Sequence, residues 1–363
     1  MSDDSARGYL DTPSMGLPSP ATVEAMHSAL DVWAGGRGHF AAYEQSMESC
    51  RELFGRLVGV PADTVGLLGS VVPAVGAAGA TLARGSGTVV AHRAEFRSLL
   101  LPVLAQVGDQ RMRWVDGPYV ADTFLAAVDD DTDAVLVSAV SSHDGGRPEL
   151  SRLADACDSA GADLLVDGTQ LTGIAVPDVD LGRVGLYVVA GYKGLRAPRG
   201  TAYAIARPHL VEHFAAPSPY GAADADRNGS YGPPWEPKPA AAGLDQSPAW
   251  LSWMGAEPAL AELVDQPAPE REQRVLGLTD RVRDDLRELR LTPQQTDLPS
   301  SIVSFAVTDP DLVTAALGDA GVRVAARRGR VRVGLHVYND ERDVDALARA
   351  LADCGTEVVP AAG

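Results

Sequence analysis

Short apolar runs alternate with helical segments over the first 206 residues, and this alternation constrains the fold more than any other feature of the sequence. The apolar runs that predict strands are residues 65–68, 87–91, 110–115, 134–140, 162–166, 185–190 and 200–206. Several of them are apolar almost throughout, as is typical of strands buried on both faces of a parallel sheet. The segments between them have helical character. The pattern therefore predicts an α/β fold with a mostly parallel sheet covered by helices.

The second part of the chain has a different pattern. Helices are predicted at residues 256–264, 271–289, 312–320 and 342–352, and strands at 300–307, 322–326 and 331–336. We predict a large domain over residues 16–255 and a small α+β C-terminal domain over residues 256–363. Residues 1–15 are predicted to belong to the small domain.

The overall charge argues against two classes of partner. The net charge is −18, from 49 acidic and 31 basic residues, and nucleic acids and anionic membranes both require clustered cations. The sequence has no apolar run long enough to cross a membrane and no secretory pattern at its start, so we expect a cytoplasmic protein. Its three cysteines form no CxxC pair, so we predict neither a metal site nor a disulfide framework.

Lysine is almost missing from this arginine-rich chain. Only Lys193 and Lys238 occur among the 31 basic residues. Arginine stays protonated, whereas lysine can lose its proton and attack a carbonyl carbon. A chain that avoids lysine is expected to keep one where arginine cannot replace it.

Polar residues follow three of the predicted strands. Ser70, Asp167 and Lys193 stand at or just after strand ends, where ligands bind in sheets of this kind. Other interpretations remain open from the residues alone. Asp167 could cap a following helix, with Gln170 completing a capping box, and Lys193 could be a surface lysine.

Three motifs resemble those of the class V aminotransferase family, which consists of fold-type-I enzymes that use pyridoxal 5′-phosphate (PLP). They are V-D-G-T-Q (166–170), G-Y-K-G-L-R-A-P-R-G-T (191–201) and V-R-V-G-L-H-V-Y-N (331–339), in the family's order. The resemblance implies PLP as cofactor and a homodimer with the active site at its interface. It also implies that Lys193 forms the Schiff base, Asp167 pairs with the pyridine nitrogen, and Gln170 binds the 3′-oxygen of the ring.

The resemblance also implies the remaining cofactor contacts. Gly69, Ser70 and Val71 stand at the phosphate loop, although Val71 lacks the hydroxyl group that the family often has there. Tyr192 would add to phosphate binding, and Ser247 would reach the phosphate of the neighbouring subunit. Phe96 would stack on the pyridine ring, unless it is an ordinary core aromatic. Ser142 would be a polar contact near the cofactor, a role that His143 could fill instead.

Four residues are implied as substrate contacts. Arg332 matches the arginine that binds the substrate α-carboxylate, unless it is an exposed strand arginine among several neighbouring ones. Ser14, His39 and Tyr43 lie in segments that line the substrate pocket in relatives.

The substrate is expected to be a small molecule of the amino-acid type, and several reactions share these residues. We favour a lyase that eliminates a substituent from Cβ or Cγ, for example by C–S cleavage, through a quinonoid intermediate. Desulfuration of cysteine is disfavoured, because no cysteine precedes the strand of Arg332 in a loop. Transamination and epimerisation are alternatives within the family. From other classes, a nucleotide-dependent oxidoreductase lacks its GxGxxG motif, and a non-catalytic binding module on the same fold stays open.

Overall fold

The computed structural model describes residues 7–212, 218–223 and 236–355. Its α-helices in chain order are α1 Pro20–Ala34, α2 Phe40–Val58, α3 Val72–Leu82, α4 Arg97–Val107, α5 Ala121–Leu125, α6 Leu150–Ala160, α7 Trp250–Asp265, α8 Ala268–Glu288, α9 Pro310–Asp319 and α10 Glu341–Asp353. The strands are β1 Val65–Leu68, β2 Thr88–His92, β3 Met112–Val115, β4 Thr132–Ser138, β5 Asp163–Asp167, β6 Leu186–Ala190, β7 Ala202–Ala206, β8 Ile302–Ala306, β9 Ala325–Arg327 and β10 Arg330–Gly334.

The large sheet has seven strands in the order β1-β7-β6-β5-β4-β2-β3. Strand β7 is antiparallel to both of its neighbours, and the remaining pairs are parallel. The predicted α/β class with a mostly parallel sheet is therefore confirmed. The six parallel strands all point their carboxyl ends to one edge, which is also where β7 begins.

Helices cover both faces of this sheet, because successive strand residues point to opposite sides. Leu164 and Val166 of β5 belong to a core shared with α2, α6 and α7, whereas Leu165 belongs to a core shared with α3 and α4. Burial on both faces explains why these strands are apolar throughout instead of alternating with polar residues.

The small sheet is antiparallel, in the order β8-β10-β9, and its core includes side chains from α8, α9 and α10. The N-terminal segment adds to it through bridges of Tyr9 to Arg323 and Asp11 to Gly334. The strand predicted at 322–326 begins only at Ala325. Its first residues pair with the N-terminal segment instead, since Arg323 N–H donates to the carbonyl of Gly8.

Helix α7 runs through the domain boundary predicted between residues 255 and 256. The helix begins six residues earlier than predicted and packs against α1 and α2 on the large sheet. We therefore propose that the small domain begins after Asp265. No helix in the ranges that the structure covers is long and apolar enough to cross a lipid bilayer.

Candidate active site

Two adjoining cavities open at the carboxyl edge of the large sheet, and both are lined by Phe96, Tyr192 and Lys193. The inner cavity, of about 90 Å³, lies between the start of α3 and the ends of β5 and β6. The outer cavity, of about 430 Å³, extends from Lys193 toward the small domain.

Lys193 is 6% exposed, so the interpretation as a surface lysine is wrong. Its Nζ lies 4.8 Å from the ring centroid of Phe96 and 5.6 Å from that of Tyr192. The N-terminal segment fixes this loop, because Gly16 N–H donates to the carbonyl of Tyr192 at 2.9 Å. A Cβ atom at Gly16 would lie 2.2 Å from the carbonyl oxygen of Lys193, so this close approach requires glycine.

The surroundings of Lys193 favour a neutral amine. Burial lowers its pKa to about 8, and the positive charges of Arg332, Arg327 and Arg199 act in the same direction. The carboxylate of Asp167 opposes them. The unprotonated amine, which is the form that attacks a carbonyl carbon, is therefore much more populated near neutral pH than in an ordinary lysine, although the protonated form still predominates.

Asp167 ends β5 inside the inner cavity. Its Oδ1 accepts from Thr169 N–H at 2.9 Å, and the Thr169 hydroxyl accepts from Ala190 N–H, which ties β5 to β6. Burial raises the pKa of Asp167, while Thr169 and Lys193 oppose that shift. Residues 169–174 form turns and no helix, so Asp167 does not act as a helix cap. Gln170 is buried and donates to the carbonyl of Pro13 at 3.0 Å.

Glu95 is a buried carboxyl group for which the sequence analysis assigned no role. It accepts from the Tyr119 hydroxyl, from the Ser138 hydroxyl and N–H, and from Phe96 N–H. Burial raises its pKa despite these donors. These bonds fix the backbone of Phe96 beside Lys193. No motif signal marks Glu95, because its partners come from two distant segments.

The start of α3 supplies the donors of the inner cavity. Gly69 and Ser70 precede this helix, and its N-cap Val71 makes no side-chain cap. Unsatisfied N–H groups at a helix start suit a phosphate group. Arg199 and Thr201 line the same cavity. The sequence analysis gave them no role, although both stand in the 191–201 motif.

Arg332 lies on β10 and is 3% exposed, so it is not an exposed strand arginine. Its Nη2 donates to Ser14 Oγ at 2.9 Å and to Asp11 Oδ1 at 3.2 Å, and its Nη1 donates to the carbonyl of Ser142 at 2.5 Å. Its Nε is buried without a partner among the described residues. Ser14, Ser142 and His143 line the outer cavity with it.

Gln170 is not among the residues that line either cavity, so its contact with the ring oxygen stays a prediction, and three further predicted site residues lie away from both cavities in the single chain. His39 is exposed at the start of α2, and Ser247 is exposed before α7. Tyr43 is buried and stacks on Trp250, with ring centroids 5.0 Å apart. Contact of these residues with a substrate or cofactor stays a prediction that depends on a second subunit.

The donor set of the two cavities fits PLP. The N–H groups of residues 69–71 and the guanidinium of Arg199 suit its phosphate, and the buried amine of Lys193 suits its aldehyde. Asp167 suits its pyridine nitrogen, and Phe96 provides an aromatic face. In the described part of the chain, no group of three or more His, Cys, Asp or Glu side chains is placed to hold a metal ion.

The family model for class V aminotransferases matches residues 9–347 of the sequence. The chain belongs to the class V aminotransferase family. It is accordingly a PLP-dependent enzyme with the fold-type-I architecture, which confirms the predicted family, fold and cofactor. A search of curated proteins finds none that matches.

Solved structures share the fold of this class V protein. The cysteine desulfurase CsdA from Escherichia coli aligns with a TM-score of 0.81 at 21% identity, covering 99% of this chain and 97% of the desulfurase. A cysteine desulfurase from Thermococcus onnurineus aligns with a TM-score of 0.80 at 18% identity, covering 96% and 95%. The cystine C–S lyase C-DES aligns with a TM-score of 0.81 at 18% identity, covering 96% and 97%.

Proposed function

We propose that this enzyme is a PLP-dependent lyase that removes a Cβ or Cγ substituent from an amino acid, most naturally by C–S cleavage. The proposal depends above all on one observation: a buried amine, Lys193, shares one cavity with a buried guanidinium, Arg332. An amino acid has a group for each end of this cavity. Its α-amine would lie at the cofactor beside Lys193, and its α-carboxylate can pair with the guanidinium of Arg332.

The residues then have separate tasks. Bound PLP acts as an electron sink for the bonds at Cα. Arg332 holds the α-carboxylate, and Lys193 Nζ takes the proton from Cα. Asp167 holds a proton on the pyridine nitrogen, and Phe96 excludes water from one face of the ring. Departure of a Cβ substituent with its electron pair would complete the elimination, whereas departure of a Cγ substituent would require a second proton to leave Cβ. Hydrolysis of the resulting enamine by water would then give the keto acid and ammonia.

The positions of the cysteines favour release of the sulfur product over its capture by the enzyme. Cys50 and Cys157 are buried, and burial raises the pKa of both thiols. Cys354 lies at the end of α10. None of the three is among the described residues that line either cavity. The similar solved structures include cysteine desulfurases and a cystine C–S lyase, which supports cleavage at a C–S bond.

The test is to incubate the PLP-loaded enzyme with a panel of sulfur-containing amino acids. We expect a keto acid, ammonia and a sulfur-bearing product to appear together from at least one of them. Lys193→Ala should lower the rate by about a thousandfold or more, since it removes the proton acceptor. Lys238→Ala, which changes the only other lysine, should keep the rate.

Two outcomes would contradict the proposal. A keto acid that retains its side-chain substituent would indicate an aminotransferase. Inversion at Cα without loss of any group would indicate an epimerase.

We also propose a homodimer that brings its two active sites to the interface. Trp33 and Phe40 are large apolar side chains that are 65% and 64% exposed, and they flank His39 in the sequence. A surface of this kind is typical of a protein contact. Gel filtration should give twice the mass of the chain, and a monomer that retains full activity would refute the dimer.

A further inference from the structure

Four guanidinium groups line the outer cavity, although the chain carries a net charge of −18. They belong to Arg97, Arg327, Arg328 and Arg332. Among the described residues that line this cavity, Glu95 is the only one with a carboxyl side chain. Its carboxyl group is buried and already accepts four hydrogen bonds. The cavity therefore has a large local excess of positive charge.

Arg332 differs from the other three. It is buried at the inner end of the cavity and pairs with Asp11 at 3.2 Å. Arg97, Arg327 and Arg328, which we call the rim arginines, are exposed. None of the rim arginines forms an ion pair within residues 7–212, 218–223 and 236–355. Arg327 only donates to the carbonyl of Ala326 and to the hydroxyl of Ser14.

Two separate elements bring the rim arginines to one opening. Arg97 is the first residue of α4, whose amino end adds partial positive charge. Arg327 ends β9, and Arg328 and Gly329 form the turn between β9 and β10, with φ values of 45° and 81°. A left-handed arginine is costly by about 1 kcal/mol or more, so this turn holds a guanidinium where glycine or asparagine would be easier.

We propose that the substrate carries a second anionic group, such as a side-chain carboxylate, which the rim arginines bind while Arg332 binds the α-carboxylate. This inference rests on the proposed function, because it specifies the substrate class of the same site. A volume of about 430 Å³ leaves room for an amino acid with an extended, charged side chain. The rim also provides a local attraction for anions on an otherwise negative protein.

The proposal is tested by measuring how tightly amino acids bind to the PLP-loaded enzyme. Binding is monitored through the change in visible absorbance when each amino acid is added. The probes are three acids, L-aspartate, L-glutamate and S-carboxymethyl-L-cysteine, each compared with its neutral side-chain amide. At least one acid should bind about tenfold more tightly than its amide, as expected for charge-assisted hydrogen bonds. The double variant Arg97→Gln/Arg328→Gln should reduce that acid-to-amide ratio by about tenfold.

Matched controls separate charge recognition from folding. Arg93→Gln changes an exposed arginine four residues before Arg97, and Arg290→Gln changes an exposed arginine that also has a positive φ, of 60°. Neither lines the cavity, so both should keep the acid-to-amide ratio. If no acid binds more tightly than its amide, or if the double variant weakens acids and amides equally, the proposal is wrong.

The outcome is independent of the reaction type. Preferential binding of acids without release of a side-chain substituent would refute the lyase and leave the anionic substrate class standing. Elimination that proceeds equally well from the acids and their amides would support the lyase and refute the anionic substrate class.

Discussion

The inner cavity and the rim of the outer cavity differ in how their charges are held. Asp167 and Lys193 line the inner cavity and are both buried, and the carboxyl group of Asp167 accepts a hydrogen bond from Thr169 N–H. The rim arginines are exposed and unpaired within the described chain. Buried charges are costly and tightly positioned, whereas exposed ones are weak individually and screened by salt. The inner cavity is therefore organised for chemistry, and the rim for attracting and selecting a ligand.

Replacing the carboxylate of the inner cavity should have a large effect on turnover. Asp167→Asn removes the negative charge opposite the cofactor nitrogen, and kcat should fall by about ten- to a hundredfold, the range expected for one charged hydrogen bond. The measurement is steady-state turnover of the PLP-loaded variant.

Asp163→Asn is the matched control, because Asp163 begins the same strand, at the end away from the cavities. Equal losses in both variants would mean that Asp167 acts only through folding, and the contrast between inner cavity and rim would weaken.

Burial of the Lys193 amine should lower the free energy of unfolding of the apoprotein. Below pH 8 the amine of Lys193 is protonated in both the folded and the unfolded state, so the folded protein bears the full cost of burying the charge. Lys193→Met should then be more stable by about 3 kcal/mol. As pH rises from 8 to 10.5, only the unfolded state keeps the proton, so the difference should shrink and vanish.

Urea unfolding of both apoproteins across this pH range measures the difference. Lys238→Met, which removes an amine that is paired with Asp245 at 3.0 Å, should show no gain in stability. A constant gain for Lys193→Met at all pH values would show that the amine is not the source.

The smallest effect is expected from salt at the rim. Raising the ionic strength from about 0.01 M to about 0.15 M shortens the screening length from roughly 30 Å to roughly 8 Å. Binding of an acidic amino acid should weaken severalfold, and binding of its amide should change less. Spectroscopic titration at the two salt concentrations gives both constants, and equal salt dependence of the two ligands would show that the rim does not contribute.

The sequence was sufficient to predict the features that depend on local patterns. Continuous apolar strands indicate a parallel sheet, and the sheet rule then places Asp167 and Lys193 at one edge. The near absence of lysine leaves only Lys193 and Lys238, and the position of Lys193 just after a predicted strand selects it without any structural information. These features repeat over short stretches, so a single sequence reveals them.

Contacts between distant segments were not predictable in the same way. The hydrogen bonds of Glu95 to Tyr119 and Ser138 join three separate segments, and so do those of Arg332 to Asp11 and Ser142. No spacing rule links such residues, because tertiary packing alone brings them together. The same holds for the rim arginines, which come from the start of one helix and a hairpin turn of the other domain.

The N-terminal segment has a consequence beyond its few contacts. It bridges to β10 through Asp11, and five residues later its Gly16 hydrogen-bonds the loop of Lys193. Any rotation of the small sheet would pull on the loop that holds the amine. The segment thus couples the motions of the two sheets, alongside the direct hydrogen bonds of Arg332 to the carbonyl of Ser142 and of His336 to the carbonyl of Gly194.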